Sequence, residues 1–205
     1  MWTRGGKRLF DAVAAMLLLV LLVPVLSLVG LVAFLGMGPP VIFRQRRPGL
    51  RGALFTIVKF RTMRKAESDG GRALPDERRL TKVGRFLRRT SLDELPTLWN
   101  VVRGDMSLVG PRPLLPQYLD RYSPRQARRH EVRPGITGWA QVSGRNATTW
   151  ERRFEFDEWY VDHCGFWLDM RILTMTLWNV LTGTGISAPG HATMPEFEGT
   201  DRGDH

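Results

Sequence analysis

A stretch of 26 residues without a charged side chain, residues 12–37, limits what this chain can fold into more than any other feature. About 20 consecutive apolar residues are enough for a helix to cross a bilayer core of about 30 Å. Pro24 lies near the middle of the stretch and removes a helical hydrogen bond, so we expect the helix to break there. Each half is then about 18 Å long, which is too short to cross the core alone.

Three structures compete for this segment: a cleaved signal peptide, a kinked spanning helix and a re-entrant helix–break–helix that enters and leaves through one leaflet. A signal peptide has a shorter apolar region, of about 7–15 residues, and a small-residue cleavage site, and this segment has neither. Basic residues flank the segment on both sides: Arg4, Lys7, Arg8, Arg44, Arg46, Arg47 and Arg51. Because positive flanks favour the cytoplasmic side, the pattern favours the re-entrant form, while a kinked spanning helix stays open.

The charge balance points to an anionic partner. The 205 residues include Lys+Arg 30 against Asp+Glu 20, a formal net charge of +10. This charge divides into +2 before the apolar segment, +11 in the centre and −3 after Gly185. Nucleic acid, anionic lipid and phosphorylated substrates all fit such a basic centre. The single cysteine, Cys164, excludes an intramolecular disulfide, and the four histidines lack zinc-site spacing.

The rest of the chain predicts an α+β fold that is mainly α. Two β-branched and aromatic runs, residues 41–45 and 54–60, are separated by proline and glycine and predict a small β-hairpin. Helices are predicted over residues 91–102, 148–163 and 169–181, and the polar residues 64–79 predict a mobile loop. Three regions follow: a membrane segment over 1–38, a cytoplasmic domain over 39–184 and a tail over 185–205.

The helix predicted over residues 169–181 is apolar around a wider face than a small domain needs. It could be an ordinary core helix or an amphipathic helix that lies in the membrane interface. The chain has seven tryptophans, and because indole prefers the headgroup level of a bilayer, they favour the interface.

The motif that most strongly indicates catalytic residues is RRTSLDELP, residues 88–96. Ser91 followed by Glu94 is typical of a capping box, so the acids could simply cap a helix. The first turn of a helix also favours ionised carboxylates, which would keep Asp93 or Glu94 available as a nucleophile or as a ligand of a hard cation. Arg88, directly upstream, could hold the phosphates that such a carboxylate attacks.

Further basic residues lie in turn-forming sequence rich in glycine and proline. The segments are KFRTM at 59–63, GPRP at 110–113 and RPGITGWAQVSGR at 133–145. Rigid turns that carry arginines favour a preorganised phosphate site over a scattered basic surface. The candidate substrate-binding residues are Lys59, Arg61, Arg88, Pro111, Arg112, Arg133 and Arg145. The chain has neither a Walker A nor a GxGxxG element.

These motifs, in this order, resemble the bacterial sugar transferases known as small monotopic phosphoglycosyl transferases. The resemblance covers residues 7–199, from KRLFD at 7–11 and FRQRRPG at 43–49 to TMPEF at 193–197, and is densest around residues 88–113. The break in the membrane helix is typically Ser-Pro in the family, whereas here it is Val23-Pro24.

The resemblance implies a transfer of sugar 1-phosphate from a nucleotide diphosphosugar, with uridine the usual base, to polyprenol (undecaprenyl) phosphate. It implies that Asp93 attacks the phosphate bearing the sugar, that nucleoside monophosphate leaves, and that a covalent aspartyl intermediate passes to the lipid. Magnesium assists, with Asp93 and Glu94 as its ligands or Glu94 as a base, and Lys59, Arg88 and Arg112 contact phosphate. The expected location is the bacterial inner membrane, with residues 39–184 forming the transferase domain on the cytoplasmic side.

Two other classes of function remain: a membrane-anchored nucleic-acid-binding protein and a scaffold that recruits partners through amphipathic helices. The first would carry its basic residues on one face, whereas here they lie in turns beside carboxylates, so we expect no nucleic acid as partner. The sequence leaves open the sugar, the glycan pathway and the oligomeric state, including a homodimer through the last helix and tail.

Overall fold

The predicted break in the apolar segment is present. The computed structural model describes residues 5–64, 68–69, 72–73, 79–144, 149–182 and 196–199. The apolar segment forms α1 (Lys7–Leu21) and α2 (Val23–Met37), which meet at Leu22 with a bend of 65°. Pro24 lies in the first turn of α2, where a missing N–H costs least.

No single helix of the described residues has the length and hydropathy to cross a bilayer, whereas α1 and α2 taken together do. Each has 15 residues, or about 22 Å of helix. Leucines along both helices are largely exposed, including Leu17, Leu21, Leu28 and Leu35. The broken helix is therefore confirmed, and the choice between a re-entrant and a kinked spanning path stays a prediction.

The basic start of α1 is bound to the rest of the fold. Lys7 Nζ lies 2.5 Å from Asp169 Oδ2, and Arg8 donates to the carbonyl oxygens of Val101 and Val102, each at 2.6 Å. These cations, which the sequence suggested as signals of membrane orientation, therefore also fix α1 against the domain that follows it.

The predicted hairpin is confirmed as β1 (Ile42–Pro48) paired antiparallel with β2 (Leu54–Phe60) across a 3-10 turn at Leu50–Gly52. The polar stretch 64–79 contains a short antiparallel pair that the sequence did not predict, β3 (Ser68–Asp69) and β4 (Arg72–Ala73). Most of the remaining stretch lies outside the described residues.

The predicted helix over residues 91–102 is two elements, a 3-10 helix at Leu92–Thr97 and α4 (Leu98–Arg103). Pro96 lies inside the 3-10 helix, and because it has no N–H it cannot take part in an α-helical ladder. Gly104 ends α4, with a φ of 91° that glycine adopts without strain. Before them lies α3 (Lys82–Arg89), capped by Thr81, which the sequence did not predict.

Two three-residue strands, β5 (Ser107–Val109) and β6 (Gly135–Thr137), pair in parallel. Between them lie α5 (Pro124–Ala127) and 3-10 helices at Pro116–Arg121 and Arg128–Glu131. After β6 come α6 (Trp139–Ser143), α7 (Trp150–His163) and α8 (Phe166–Thr182), so the two helices predicted over 148–163 and 169–181 are confirmed.

The last helix differs in burial along its length. Ile172 and Asp169, in the first half of α8, are almost completely buried, and Asp169 Oδ1 accepts a hydrogen bond of 2.7 Å from the Tyr160 hydroxyl. In the second half, Trp178 and Leu181 are 67% and 74% exposed. One face of the first half thus packs in the core, although Trp167 is 82% exposed there, and contact of the second half with a membrane stays a prediction.

The core joins the membrane segment to the domain. Its buried members come from α1, the strands, α4 and the last helices: Ala15, Ile57, Leu98, Val101, Met106, Leu108, Val109, Val142, Tyr160 and Ile172. A smaller cluster places Val29 and Ala33 of α2 against Phe60 and Leu87. The tail residue Phe197 is buried in a third cluster with Leu114, Tyr118 and Phe154.

Side chains of the 3-10 helix and α4 bond to the backbone of β2 along the side that β1 does not cover. Asn100 donates to Thr56 O at 2.7 Å and accepts from Val58 N at 3.1 Å, and Thr97 donates to Val58 O at 3.0 Å. Asn100 is completely buried. This pairing fixes the residues just before Thr97, namely Asp93 and Glu94, beside the end of β2.

Candidate active site

Glu94 joins three parts of the chain through its carboxylate. Lys59 Nζ, from β2, and Arg112 Nη2, from the loop after β5, each lie 2.6 Å from Glu94 Oε1. A second Arg112 nitrogen lies 3.4 Å from Oε2. The sequence placed these three residues in one site, and the structure brings them into direct contact.

The two neighbouring carboxylates have opposite electrostatic environments. Burial alone would raise the pKa of Glu94, but the charges of Arg112 and Lys59 outweigh it and hold that pKa well below its ordinary value. Burial and the adjacent Glu94 charge raise the pKa of Asp93 from 3.8 to about 6. Burial is the largest influence on Asp93, so its ionised form is less favoured than that of Glu94.

Asp93 is buried, with 9% of its surface exposed, yet among the described residues it forms no side-chain hydrogen bond or ion pair. Lys59, Arg88 and Arg112 are close enough to act on it through their charges alone. A buried carboxylate without a partner is costly in a stable fold, and such groups are concentrated at functional sites.

The capping box that the sequence suggested is wrong. Ser91 has a φ of 56°, in the left-handed region, and its side chain makes no cap hydrogen bond. The Glu94 carboxylate binds Lys59 and Arg112 and does not return to the Ser91 backbone. Helix capping therefore does not explain the presence of Asp93 and Glu94 at these positions.

Arg88 approaches Asp93 from the end of α3. Its Nε donates to the Thr62 hydroxyl at 3.0 Å. The start of α3 runs against the same segment, since a Cβ on Gly84 would lie 1.8 Å from Thr62 O. Only glycine permits this close approach. Together with the bond to Thr62, it positions the Arg88 side chain near Asp93.

Backbone hydrogen bonds to β6 and a contact from Arg129 fix the loop that carries Pro111 and Arg112. Gly110 N donates to Thr137 O at 2.9 Å, and Gly135 N donates to Pro111 O at 3.0 Å. Arg129 donates to Arg112 O at 2.8 Å and pairs with Asp157 at 2.8 Å, in an ion pair that is almost completely buried.

Two predicted binding residues, Arg61 and Arg133, are not part of this cluster. Arg61 donates to the carbonyl oxygens of Met37, Gly38 and Pro39 at the end of α2. Arg133 donates to Gly104 O at 2.9 Å. Arg145 lies outside the described residues, so its place in the site stays a prediction.

The residues that support the site were not predicted from the sequence. Thr97, Asn100, Arg129 and Asp157 position it but belong to no chemical motif. Buried polar side chains in apolar surroundings were the available signal, because such groups need partners. Their partners, however, are backbone atoms or side chains far away along the chain.

The carboxylate pair fits a magnesium ion that is held mainly by its substrate. Within the described residues, no three His, Cys, Asp or Glu side chains form a cluster that could hold a metal. Mg²⁺ commonly needs only one or two carboxylates, with phosphate oxygens and water completing its shell. Asp93 has free oxygens, and the contact to Glu94 Oε2 is a long 3.4 Å.

Replacing the Asp93 charge should stabilise the fold. Because folding raises the pKa of Asp93 from 3.8 to about 6, ionisation of Asp93 destabilises the fold progressively as the pH rises from about 4 to 6, and the full effect is present above pH 6. That difference corresponds to about 3 kcal/mol, so Asp93→Asn should unfold at a higher temperature than wild type at pH 8. Asp120→Asn, at an exposed position, is the matched control and should leave the midpoint unchanged. An unchanged or lower midpoint for Asp93→Asn at pH 8 would contradict this description of the site.

Comparison with known proteins places the chain in a family. The family model for bacterial sugar transferases matches residues 2–183. The chain is 54% identical over 194 residues to a Bacillus subtilis protein named "Uncharacterized sugar transferase EpsL", and the match covers 95% of this chain and 96% of that protein.

Other relatives have names that state a reaction. The "UDP-glucose:undecaprenyl-phosphate glucose-1-phosphate transferase" of Escherichia coli is 44% identical over 183 residues, with 83% of this chain and 39% of that protein covered. The protein of the same name from Caulobacter vibrioides is 45% identical over 186 residues, with 86% and 70% covered. The chain thus spans about two fifths of the Escherichia coli relative but nearly all of the Bacillus protein. On the family match and these identities, the chain belongs to the bacterial sugar transferases.

Proposed function

We propose that this chain transfers a sugar 1-phosphate from a UDP-sugar to undecaprenyl phosphate and releases UMP. Two relatives are named for UDP-glucose and undecaprenyl phosphate, and a third, from Erwinia amylovora, is named "UDP-galactose-lipid carrier transferase". These names support a hexose as the sugar and leave its identity open. The reaction would be the first membrane step in the synthesis of a glycoconjugate, an exopolysaccharide or an O-antigen.

The contrast between Asp93 and Glu94 carries the proposal. Glu94 is bound by two cations and stays ionised, whereas Asp93, its neighbour, is buried and unpaired. A nucleophile needs a free oxygen, and a positioning residue needs fixed partners. The geometry therefore supports Asp93 as the nucleophile and Glu94 as the residue that holds the cations around it.

The reaction proceeds in two displacements at one phosphorus atom. An Asp93 oxygen attacks the phosphorus that bears the sugar, the bond to the bridging oxygen breaks, and UMP leaves with that oxygen. An oxygen of undecaprenyl phosphate then attacks the same phosphorus, and the Asp93 carboxylate leaves. The products are undecaprenyl diphosphosugar and the original enzyme, so the covalent intermediate divides one transfer into two easier steps.

Cations around Asp93 offset the charge that the diphosphate brings. Arg88 and Arg112 can donate to phosphate oxygens, and Lys59 keeps Glu94 in place. When bound, Mg²⁺ would be held by the Asp93 and Glu94 carboxylates and would withdraw charge from the phosphates.

The bent helix pair supports a membrane location. The exposed leucines of α1 and α2 would lie in the lipid, and the domain would sit on the cytoplasmic face of the bacterial inner membrane, where nucleotide sugars are available. A re-entrant path would bring the end of α2 back to that face, next to the hairpin that carries Lys59.

The proposal predicts that UMP release depends on Asp93. Asp93→Ala should abolish UMP release from a UDP-sugar in the presence of undecaprenyl phosphate, because no other described carboxylate at the site is free to attack. A panel of UDP-sugars would identify the donor in the same assay. Asp120→Asn should retain wild-type turnover. Near-normal release by Asp93→Ala would refute the covalent route.

The pKa of Asp93 sets the expected pH dependence. The nucleophile must be ionised, and with a pKa of about 6 only about a tenth of it is ionised at pH 5. We therefore expect kcat/KM to rise about tenfold from pH 5 to a plateau above pH 7, with a midpoint near 6. A profile that is flat between pH 5 and 8 would show that the ionisation of Asp93 does not control the first step.

A further inference from the structure

One face of the hairpin carries a second cation in line with Lys59. Arg47 pairs with Phe55, which lies four residues before Lys59 in β2. Because side chains alternate between the two faces of a strand, Gln45 and Arg47 lie on the same face as Lys59. At about 3.4 Å per residue, the Cα atom of Arg47 lies about 13 Å from Lys59 along the hairpin. Arg46 lies on the opposite face and is exposed.

The Arg47 side chain turns back along this face and has no anionic partner. Its Nη2 donates to Gln45 Oε1 at 2.7 Å, and Gln45 lies between Arg47 and Lys59 along the hairpin. Arg47 is half-buried and forms no ion pair with any described residue. Burial and the charge of Arg112 both lower its pKa. A half-buried cation that faces a second cation is unfavourable unless an anion binds there.

Arg153 brings a further cation to Arg112 from α7. Arg153 lies one helical turn before Asp157, so both side chains lie on one face of α7. Arg129 links that face to the site, because it binds Asp157 and donates to Arg112 O, each at 2.8 Å. The Arg153 guanidinium lies over the Trp150 ring, 5.2 Å from its centre, and forms no ion pair within the described part of the chain.

The carboxylates near these arginines are already bound by other cations. Two cations bind Glu94, and a buried arginine binds Asp157. Burial lowers the pKa of Arg153, and the charge of Arg112 lowers it as well, as it does for Arg47. Arg112 therefore lies between two unpaired, half-buried arginines, and this part of the site keeps a surplus of positive charge.

Two ligands of the proposed reaction carry phosphate, and the direction of the hairpin distinguishes them. Strand β1 begins at Ile42, five residues after α2 ends at Met37, so Arg47 lies further from the membrane segment than Lys59 does. Undecaprenyl phosphate is anchored in the bilayer, whereas a nucleotide sugar arrives from water. When the phosphorus that bears the sugar is at Asp93, the nucleotide half must extend to one side of it. The unpaired arginines on the side away from the membrane segment suit that half.

We propose that Arg47 and Arg153 bind the nucleoside monophosphate half of the donor, with their guanidinium groups on the phosphate that leaves in UMP. Arg112 lies between this phosphate and the one that Asp93 attacks, and Gln45 positions the Arg47 side chain. When the bond from the attacked phosphorus to the bridging oxygen breaks, that oxygen stays with UMP, and the arginines offset the charge that it gains. The inference rests on the proposed function, because it requires a UDP-sugar as donor.

Isothermal titration of the full chain in detergent with UMP, which carries no sugar to transfer, measures this subsite apart from the reaction. Arg47→Gln and Arg153→Gln should each weaken UMP binding about tenfold, as expected for the loss of one charge-assisted hydrogen bond. Arg46→Gln and Arg152→Gln remove exposed neighbouring cations and should bind UMP as wild type does. The unfolding midpoint of Arg47→Gln should not fall, because the substitution removes a cation that its surroundings repel, so weaker binding would not reflect loss of the fold.

Unchanged UMP binding in Arg47→Gln and Arg153→Gln, or no UMP binding by wild type, would refute the subsite. Equal weakening by Arg46→Gln would mean that general surface charge attracts UMP. Inorganic phosphate that binds as tightly as UMP would make this a site for free anions. An equal loss of affinity for a short-chain polyprenyl phosphate in Arg47→Gln would assign the arginines to the acceptor, and each of these results rejects the proposal.

The reaction itself is tested by UMP release from UDP-sugars. Wild type that releases no UMP from any UDP-sugar would refute the proposed function. Active wild type whose affinity for UMP does not change on either substitution, Arg47→Gln or Arg153→Gln, would refute only the subsite.

Discussion

The contact of Glu94 with Lys59 and Arg112 is the interaction on which the rest of the site depends. It joins the hairpin, the 3-10 helix and the loop after β5, which are far apart in sequence. Each of the three groups is itself held by other contacts, because Asn100 and Thr97 bond to β2 and Arg129 holds the Arg112 backbone. With Arg88 and Asp93 included, three cations face two carboxylates, so the site keeps a net positive charge that favours an anionic ligand.

Direct contact with the cations, which Glu94 has and Asp93 lacks, explains why the two adjacent acids behave differently. Glu94 satisfies part of the positive charge and remains ionised, and Asp93 remains without a direct partner in a desolvated place. The fold keeps Asp93 at a cost in stability, as is common where a group must be free to react. The +11 charge of the central region thus separates into cations used inside the fold, such as Arg61, Arg129 and Arg133, and cations that face a phosphate.

Local patterns predicted much of this structure. Pro24 predicted the break between α1 and α2, and β-branched and aromatic runs separated by proline and glycine predicted the hairpin. The family resemblance predicted that Lys59, Glu94 and Arg112 share a site. Patterns failed where long-range contacts decide. Ser91 and Glu94 have capping-box spacing, but the Glu94 carboxylate binds two cations from other elements instead of the Ser91 backbone. The contact of Arg133 with Gly104 O is also long-range, and no local pattern in the sequence predicts it.

The central claim is that Asp93 becomes covalently attached to the phosphosugar, and intact-protein mass spectrometry tests it most directly. Wild type incubated with its UDP-sugar and Mg²⁺, without undecaprenyl phosphate, should gain the mass of one sugar phosphate, located by peptide mapping to Asp93. The adduct should disappear when undecaprenyl phosphate is added, and it should be absent from Asp93→Asn. UMP release without any adduct, or an adduct on another residue, would contradict the account.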